Sequence, residues 1–127
     1  MRYVNAVLAV LMVLFAAVQY NDPDALLWMV VYLVPAAFAG LAAVRLARLR
    51  SGMPFNLLAV ALIAAVAGCY YYWPQTPEFW RRDVWWETET AREGMGMMIA
   101  TVVLAVAFLT AIHARARRQG SASGDVG

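Results

Sequence analysis

The sequence predicts an all-α membrane protein whose four transmembrane helices form a compact bundle. The first observation is composition: 64% of the residues are hydrophobic, only 14% are charged, and the mean hydropathy is +0.63. A soluble domain of this length needs more polar surface. The second observation is four apolar segments, each close to the roughly 20 residues that cross about 30 Å of hydrocarbon. They cover about residues 4–20, 26–44, 55–73 and 96–113.

These spans give one transmembrane domain over residues 1–118. Residues 119–127 are rich in Gly and Ser, and we predict that this tail is disordered. The first span also resembles a signal peptide, because Arg2 precedes its apolar core and small residues, Ala16 and Ala17, lie near its end. We favour a retained helix because no clean A-x-A pattern precedes the polar turn that follows. Cleavage would leave three spans.

The arginines predict the orientation, since the chain contains no lysine. Seven of the ten arginines fall on one side of a four-span layout: Arg2, Arg45, Arg48, Arg50, Arg115, Arg117 and Arg118. The positive-inside rule places both termini on the cytoplasmic side, in a plasma membrane or a bacterial inner membrane. The basic residues occupy three separate juxtamembrane sites, which suits anionic lipid headgroups and argues against a nucleic-acid partner.

Polar residues interrupt the apolar sequence after the first span, in the stretch "NDPD" at residues 21–24. Asn and Asp tolerate turn conformations, and Pro23 fixes one backbone angle. We expect Asp22 to cap a helix that begins at or just after Pro23, with Asp24 in its first turn.

The long outer loop, residues 74–93, contains a second helix-start pattern. Thr76, Pro77 and Glu78 have the order of a cap, a first-turn proline and a first-turn acid, which predicts a helix from about Pro77 to Arg82 or beyond. Five apolar side chains would let this helix lie in the membrane interface: Phe79, Trp80, Val84, Trp85 and Trp86.

The same loop ends in "ETARE", where Glu89, Arg92 and Glu93 can share one helix face. The favoured interpretation is a surface salt-bridge network that joins the two outer loops. The alternative is a binding site for a divalent cation or a small cationic or polar ligand, since clustered oxygens suit Ca²⁺ or Mg²⁺. Its metal ligands would be Asp22, Asp24, Glu89 and Glu93.

Several function classes are disfavoured by what the spans contain. Their cores hold no ionisable residue, which argues against a pump or an ion-coupled transporter. Cys69 and His113 each stand alone, which is weak evidence for redox chemistry or haem ligation. No Ser/His or Cys/His pair lies on the outer side, so an enzyme is disfavoured. No cofactor is indicated, and a divalent cation is the single ligand of that kind that the sequence leaves open.

Two stretches resemble a known family. "VQYNDPDALLWMVVYLVPA", from Val18 to Ala36, is similar to the signature of the transmembrane protein 220 family, and "ETAREGMG", from Glu89 to Gly96, is similar to that family's second hallmark. The resemblance implies a small multi-spanning protein and no particular activity. It also implies that one outer unit is formed by Asn21, Asp22, Pro23, Asp24, Trp28, Tyr32, Glu89, Arg92, Glu93 and Gly96.

Two functional interpretations follow. In the favoured one, the protein is a non-catalytic accessory or assembly component of a larger membrane complex, or a homo-oligomer, that packs through small-residue helix faces. In the alternative, the outer carboxylates bind a divalent cation or a small polar ligand, either for binding alone or for enzymatic hydrolysis or lipid modification. The residues of interest for ligand binding or interaction are Asn21, Asp22, Asp24, Trp28, Tyr32, Glu89, Arg92 and Glu93.

Overall fold

A computed structural model of the chain describes residues 1–125, and it is helical throughout its apolar segments. The helices are α1 (Arg2–Ala17), which continues as a 3-10 turn (Val18–Asn21), α2 (Ala25–Val44), α3 (Leu46–Leu49), α4 (Gly52–Tyr71), α5 (Arg82–Glu87) and α6 (Glu89–Gly124). Four of these segments are long and apolar enough to cross a membrane: α1 with its 3-10 turn, α2, α4 and α6. The predicted all-α, four-span fold class is therefore confirmed.

Helix α6 is the central element of the bundle. It packs against α2 on one side and α4 on the other and also touches α1, while α1 and α2 pair closely along their length. The residue 22–24 turn and α5 lie at one end of the bundle, which we call the acidic end. Both α3 and the C-terminal part of α6 lie at the opposite end, which we call the basic end. Small buried residues, including Ala36, Ala39 and Ala107, allow close helix approach.

A polar contact ties α1 to α6 within this apolar packing. Asn5 is completely buried, and its Nδ2 donates to the hydroxyl of Thr110 at 3.0 Å and to the Met1 carbonyl at 2.9 Å. The Thr110 hydroxyl in turn donates to the Val106 carbonyl at 2.7 Å. Because apolar side chains have no preferred partner in lipid, a polar contact of this kind helps to fix how α1 sits on α6.

We predict that Asn5 and Thr110 are energetically coupled. A double-mutant cycle with Asn5→Ala and Thr110→Val, read as unfolding free energies in detergent, should give a coupling of about 0.6 kcal/mol and at most about 1.7 kcal/mol. Thr101→Val is the matched control, because the Thr101 hydroxyl likewise donates to a carbonyl four residues earlier, that of Met97. Equal coupling of Asn5 to both threonines would contradict a direct contact.

The long loop differs from the sequence prediction. The helix expected from about Pro77 does not form there, and α5 begins at Arg82 instead. The reason lies at Glu78, whose φ of 56° is in the left-handed region and stops a helix from starting at Pro77. Arg81 stabilises this turn by pairing with Glu78 at 2.8 Å and with Asp83 at 3.3 Å. The interfacial position of α5 stays a prediction.

The C-terminal end of α6 also differs. The helix continues to Gly124, past residue 119, where the sequence predicted the start of a disordered tail. Extension of an existing helix needs no new nucleus, and the good helix formers Ala116, Arg117, Arg118 and Gln119 lead into this Gly- and Ser-rich segment. Residues 126 and 127 of the predicted tail lie outside the described residues.

Candidate functional site

The turn between α1 and α2 is held by backbone hydrogen bonds and not by its two carboxylates. Helix α2 begins at Ala25, just after Pro23 as expected, but the expected Asp22 cap is wrong, because Asp24 precedes the helix and no side chain caps it. The turn is closed by backbone bonds: the Asp22 N–H donates to the Gln19 carbonyl at 3.0 Å, and the Ala25 N–H donates to the Asp22 carbonyl at 3.1 Å. Within residues 1–125, the Asp22 and Asp24 side chains accept no hydrogen bond and join no ion pair.

The first turn of α6 presents Glu89, Arg92 and Glu93 without the expected salt-bridge network. Arg92 Nη1 donates to the backbone carbonyl of Trp86 at 2.6 Å, and the ion pairs found in the described chain involve Arg81 only. The last carbonyls of a helix lack partners within the helix, and the Trp86 carbonyl near the end of α5 is one of these. The predicted network is therefore not formed, because Arg92 is held by α5 instead.

The two polar stretches face a common cavity of about 370 Å³ at the acidic end. Seven of the eight residues that the sequence indicated line this cavity: Asp22, Asp24, Trp28, Tyr32, Glu89, Arg92 and Glu93. Asn21 does not line it and is exposed to solvent. Stretches that lie more than fifty residues apart in the sequence thus meet in one place, since α2 and α6 pack against each other.

The floor of the cavity depends on a close approach of α2 to α6. Trp28 and Tyr32 are one helical turn apart on α2 and are almost fully buried. Gly96 of α6 lies directly against the Tyr32 hydroxyl, so that a Cβ at this position would overlap it. Phe15 of α1 packs edge-on against Tyr32, with ring centroids 5.7 Å apart. The Tyr and Gly of the two family-like stretches therefore meet in one packing contact, with the Trp28 ring beside them.

The cavity carries an excess of negative charge. Four carboxylates, those of Asp22, Asp24, Glu89 and Glu93, face a single guanidinium. Glu93 precedes the apolar part of α6, and its pKa is raised above the ordinary value, first by burial and then by repulsion from Glu89 and Asp24. The Trp28 indole and Arg92 oppose this shift by favouring the carboxylate. A cation in the cavity would relieve the repulsion.

The carboxylates are not gathered for a metal ion. In the part of the chain that the structure describes, no group of three or more His, Cys, Asp and Glu side chains could hold one. The metal ligands considered from the sequence, Asp22, Asp24, Glu89 and Glu93, all line the cavity but do not form such a group. This arrangement suits a larger cationic group better than a bare Ca²⁺ ion, which needs six to eight oxygen ligands at short range.

The rest of the lining was not indicated as part of a site by the sequence. It includes Phe15, Val18, Gln19, Trp85, Trp86, Met95 and Ile99. Trp85 and Trp86 were interpreted as membrane-interface anchors, and the apolar residues have the ordinary character of a spanning helix. Only the helix packing shows that these side chains meet the carboxylates.

We predict that Glu93→Gln stabilises the protein at neutral pH. A carboxyl whose pKa is raised by folding contributes stability below its unfolded pKa, and that stability is lost as pH rises through the folded pKa. The variant should gain about 0.2–0.5 kcal/mol at neutral pH, the size of a like-charge pair on adjacent helical turns, and should lose this part of the pH dependence. Thermal unfolding at acidic and neutral pH measures both effects. Glu87→Gln, an exposed control outside the cavity, should change neither, and a destabilised Glu93→Gln would contradict the prediction.

Comparison with known proteins supports the family resemblance. A family model described as transmembrane family 220, helix, matches residues 11–109. The matched range contains all the residues of the acidic-end cavity that the sequence indicated, from Asp22 to Glu93. No solved structure matches the chain closely enough to be counted as similar. The match covers most of the chain, and the chain belongs to transmembrane family 220.

Proposed function

We propose that this membrane protein binds a small organic molecule with a cationic group in the cavity at its acidic end. The observation that carries the proposal is the lining itself: both family-like stretches supply side chains to one cavity, and their four carboxylates form no ion pair in the described chain. Charged groups left without partners near a cavity are candidates for a binding role.

The lining supports an organic cation. Besides the carboxylates, it contains five aromatic side chains: Phe15, Trp28, Tyr32, Trp85 and Trp86. Aromatic faces attract ammonium groups, and the interaction strengthens where water is excluded. The volume of about 370 Å³ falls within the usual range of small-molecule pockets, roughly 300–1,000 Å³. Val18 and Ile99 offer apolar surface for the uncharged part of the ligand.

A binding role suits the lining better than covalent catalysis. The cavity residues of the described chain include no Ser, Thr, Cys, His or Lys that could serve as a nucleophile with an adjacent base. The arginine distribution supports placement of this cavity on the non-cytoplasmic side, with both termini in the cytoplasm. A ligand would then reach the cavity from outside the cell or from the outer leaflet.

The proposal is tested with the purified protein in a neutral detergent. Benzyltrimethylammonium is titrated beside its uncharged isostere neopentylbenzene, beside benzoate and beside Mg²⁺, and thermal unfolding is recorded. At a probe concentration of 100 times Kd, the ammonium should stabilise the protein by about 2.7 kcal/mol. Benzoate should not stabilise it, and the isostere should do so only weakly. Equal effects of ammonium and isostere, or stabilisation by Mg²⁺ alone, would overturn the proposal.

The accessory role in a larger complex or homo-oligomer stays a prediction. The observation in its favour is α4, which has only Leu58 and Ala65 buried and leaves Leu57, Val60 and Ile63 exposed. Lipid covers such a face as well as another subunit does. Native mass spectrometry of the protein extracted from its own membranes distinguishes the two, because a stoichiometric foreign subunit would support the accessory role.

A further inference from the structure

A second cavity, shallow and wide open to solvent, lies at the basic end of the bundle. It is formed where the segment after α3 meets the continuation of α6 beyond the apolar span. Its polar lining consists of Arg50, Arg117, Arg118, Ser121 and Asp125. Three guanidiniums therefore face one carboxylate, so the cavity has an excess of positive charge, opposite in sign to the acidic-end cavity.

Arg50 is held in place by its neighbour. Leu49 is fully buried against Leu58 and Ala107, which fixes the end of α3 against α4 and α6. The Nε of Arg50 is itself buried and has no hydrogen-bond partner in residues 1–125. A buried guanidinium N–H without a partner is costly, so an acceptor in this cavity would stabilise the protein if the Arg50 side chain turned this N–H toward it.

The side chains of Arg117 and Arg118 can also bind an acceptor that enters the cavity. Within residues 1–125, Arg117 and Arg118 form no ion pair. Arg115, two residues before Arg117, is different, because its guanidinium lies over the Phe55 ring at 5.0 Å from the centroid. The helical continuation of α6 is what carries Arg117 and Arg118 to the cavity, and a disordered tail would not hold them there.

We propose that Arg50, Arg117 and Arg118 bind the phosphate group of an anionic phospholipid. Guanidinium groups match phosphate oxygens with paired, charge-assisted hydrogen bonds. The cavity adjoins the ends of membrane-spanning helices, where basic pockets meet lipid headgroups. The site is independent of the ligand proposed for the acidic end. The proposed site also differs from general attraction to a charged surface, because binding requires Arg50 and does not require Arg48 nearby.

The test uses the full chain in neutral detergent. Phosphatidylglycerol, phosphatidylcholine and inorganic phosphate are added separately, and bound lipid is counted by native mass spectrometry alongside thermal unfolding. One phosphatidylglycerol per chain is expected, with stabilisation that phosphatidylcholine and free phosphate do not give. Arg50→Gln should weaken binding at least about tenfold, because a hydrogen bond to a charged group is lost. The double variant R117Q/R118Q should do the same without affecting the buried Nε.

Arg48→Gln is the matched control, because Arg48 lies in α3 but does not line the cavity. It should leave lipid binding unchanged. Equal losses for Arg48→Gln and the double variant would show unspecific attraction and overturn the site. Equal binding of phosphatidylcholine, or stabilisation by inorganic phosphate alone, would overturn the assignment to an anionic lipid. If Arg50→Gln fails to fold, the double variant alone decides the outcome.

Discussion

Replacing Gly94 by alanine is expected to destabilise the protein by about 1–3 kcal/mol, the usual cost of overpacking. A Cβ at Gly94 would overlap the Pro74 ring and would lie 2.6 Å from the backbone carbonyl oxygen of Tyr72. A proline ring and a backbone carbonyl cannot rotate away as a flexible side chain can, so α6 would have to move from the segment that follows α4. Thermal unfolding in detergent measures the loss.

The control for this prediction is the same substitution at Gly40. No atom lies within 4 Å of a Cβ built there, and Gly40 is within α2. Alanine favours helix over glycine by roughly 0.5–1 kcal/mol, so Gly40→Ala is expected to stabilise the protein. Opposite signs at the two glycines are the expected result. Stabilisation by Gly94→Ala would show that α6 does not pack against the end of α4 as described.

The second large effect concerns the cavity carboxylates. The double variant Asp24→Asn with Glu93→Gln is expected to lower the affinity for benzyltrimethylammonium at least about tenfold, because loss of a charged contact costs about 1.5–3 kcal/mol. Both side chains line the cavity, and they repel each other there. Binding is measured by quenching of tryptophan fluorescence, since Trp28, Trp85 and Trp86 belong to the lining.

A matched control separates this effect from net charge. Glu78→Gln with Asp83→Asn makes the same two chemical changes in the loop that connects α4 to α6, where both carboxylates pair with Arg81 and neither lines the cavity. This variant should retain the affinity of the parent protein. Equal losses in both double variants would mean that the ammonium responds to the general charge of the loop, and the cavity would not be the site.

The fold could be predicted from the sequence because its determinants are local. Spans of about 20 apolar residues define membrane helices by length and hydropathy alone, and α1, α2, α4 and α6 follow them closely. The α5 prediction failed because a Thr-Pro-Glu pattern fits a turn as well as a helix start, and the left-handed Glu78 decided between them. The structure continues α6 to Gly124, which composition alone does not predict because it does not record that a long helix precedes residue 119.

The candidate site could be predicted in its polar part only. Charged residues stand out in an apolar chain, and the family resemblance added Trp28 and Tyr32 to them. Every indicated residue except Asn21 lines one cavity. The partner of Arg92 could not be predicted, since Trp86 offers a backbone carbonyl whose position depends on how α5 meets α6. The same holds for Gly96, whose contact with Tyr32 depends on the depth at which α2 and α6 pack.

The most direct test of the account is photolabelling with a diazirine derivative of benzyltrimethylammonium, followed by mapping of the labelled peptides by mass spectrometry. Labels are expected in both residues 18–36 and residues 89–96, each reduced by an excess of unlabelled benzyltrimethylammonium, because the two stretches line one cavity. Labelling confined to the exposed face of α4, or labels that the excess does not reduce, would contradict it.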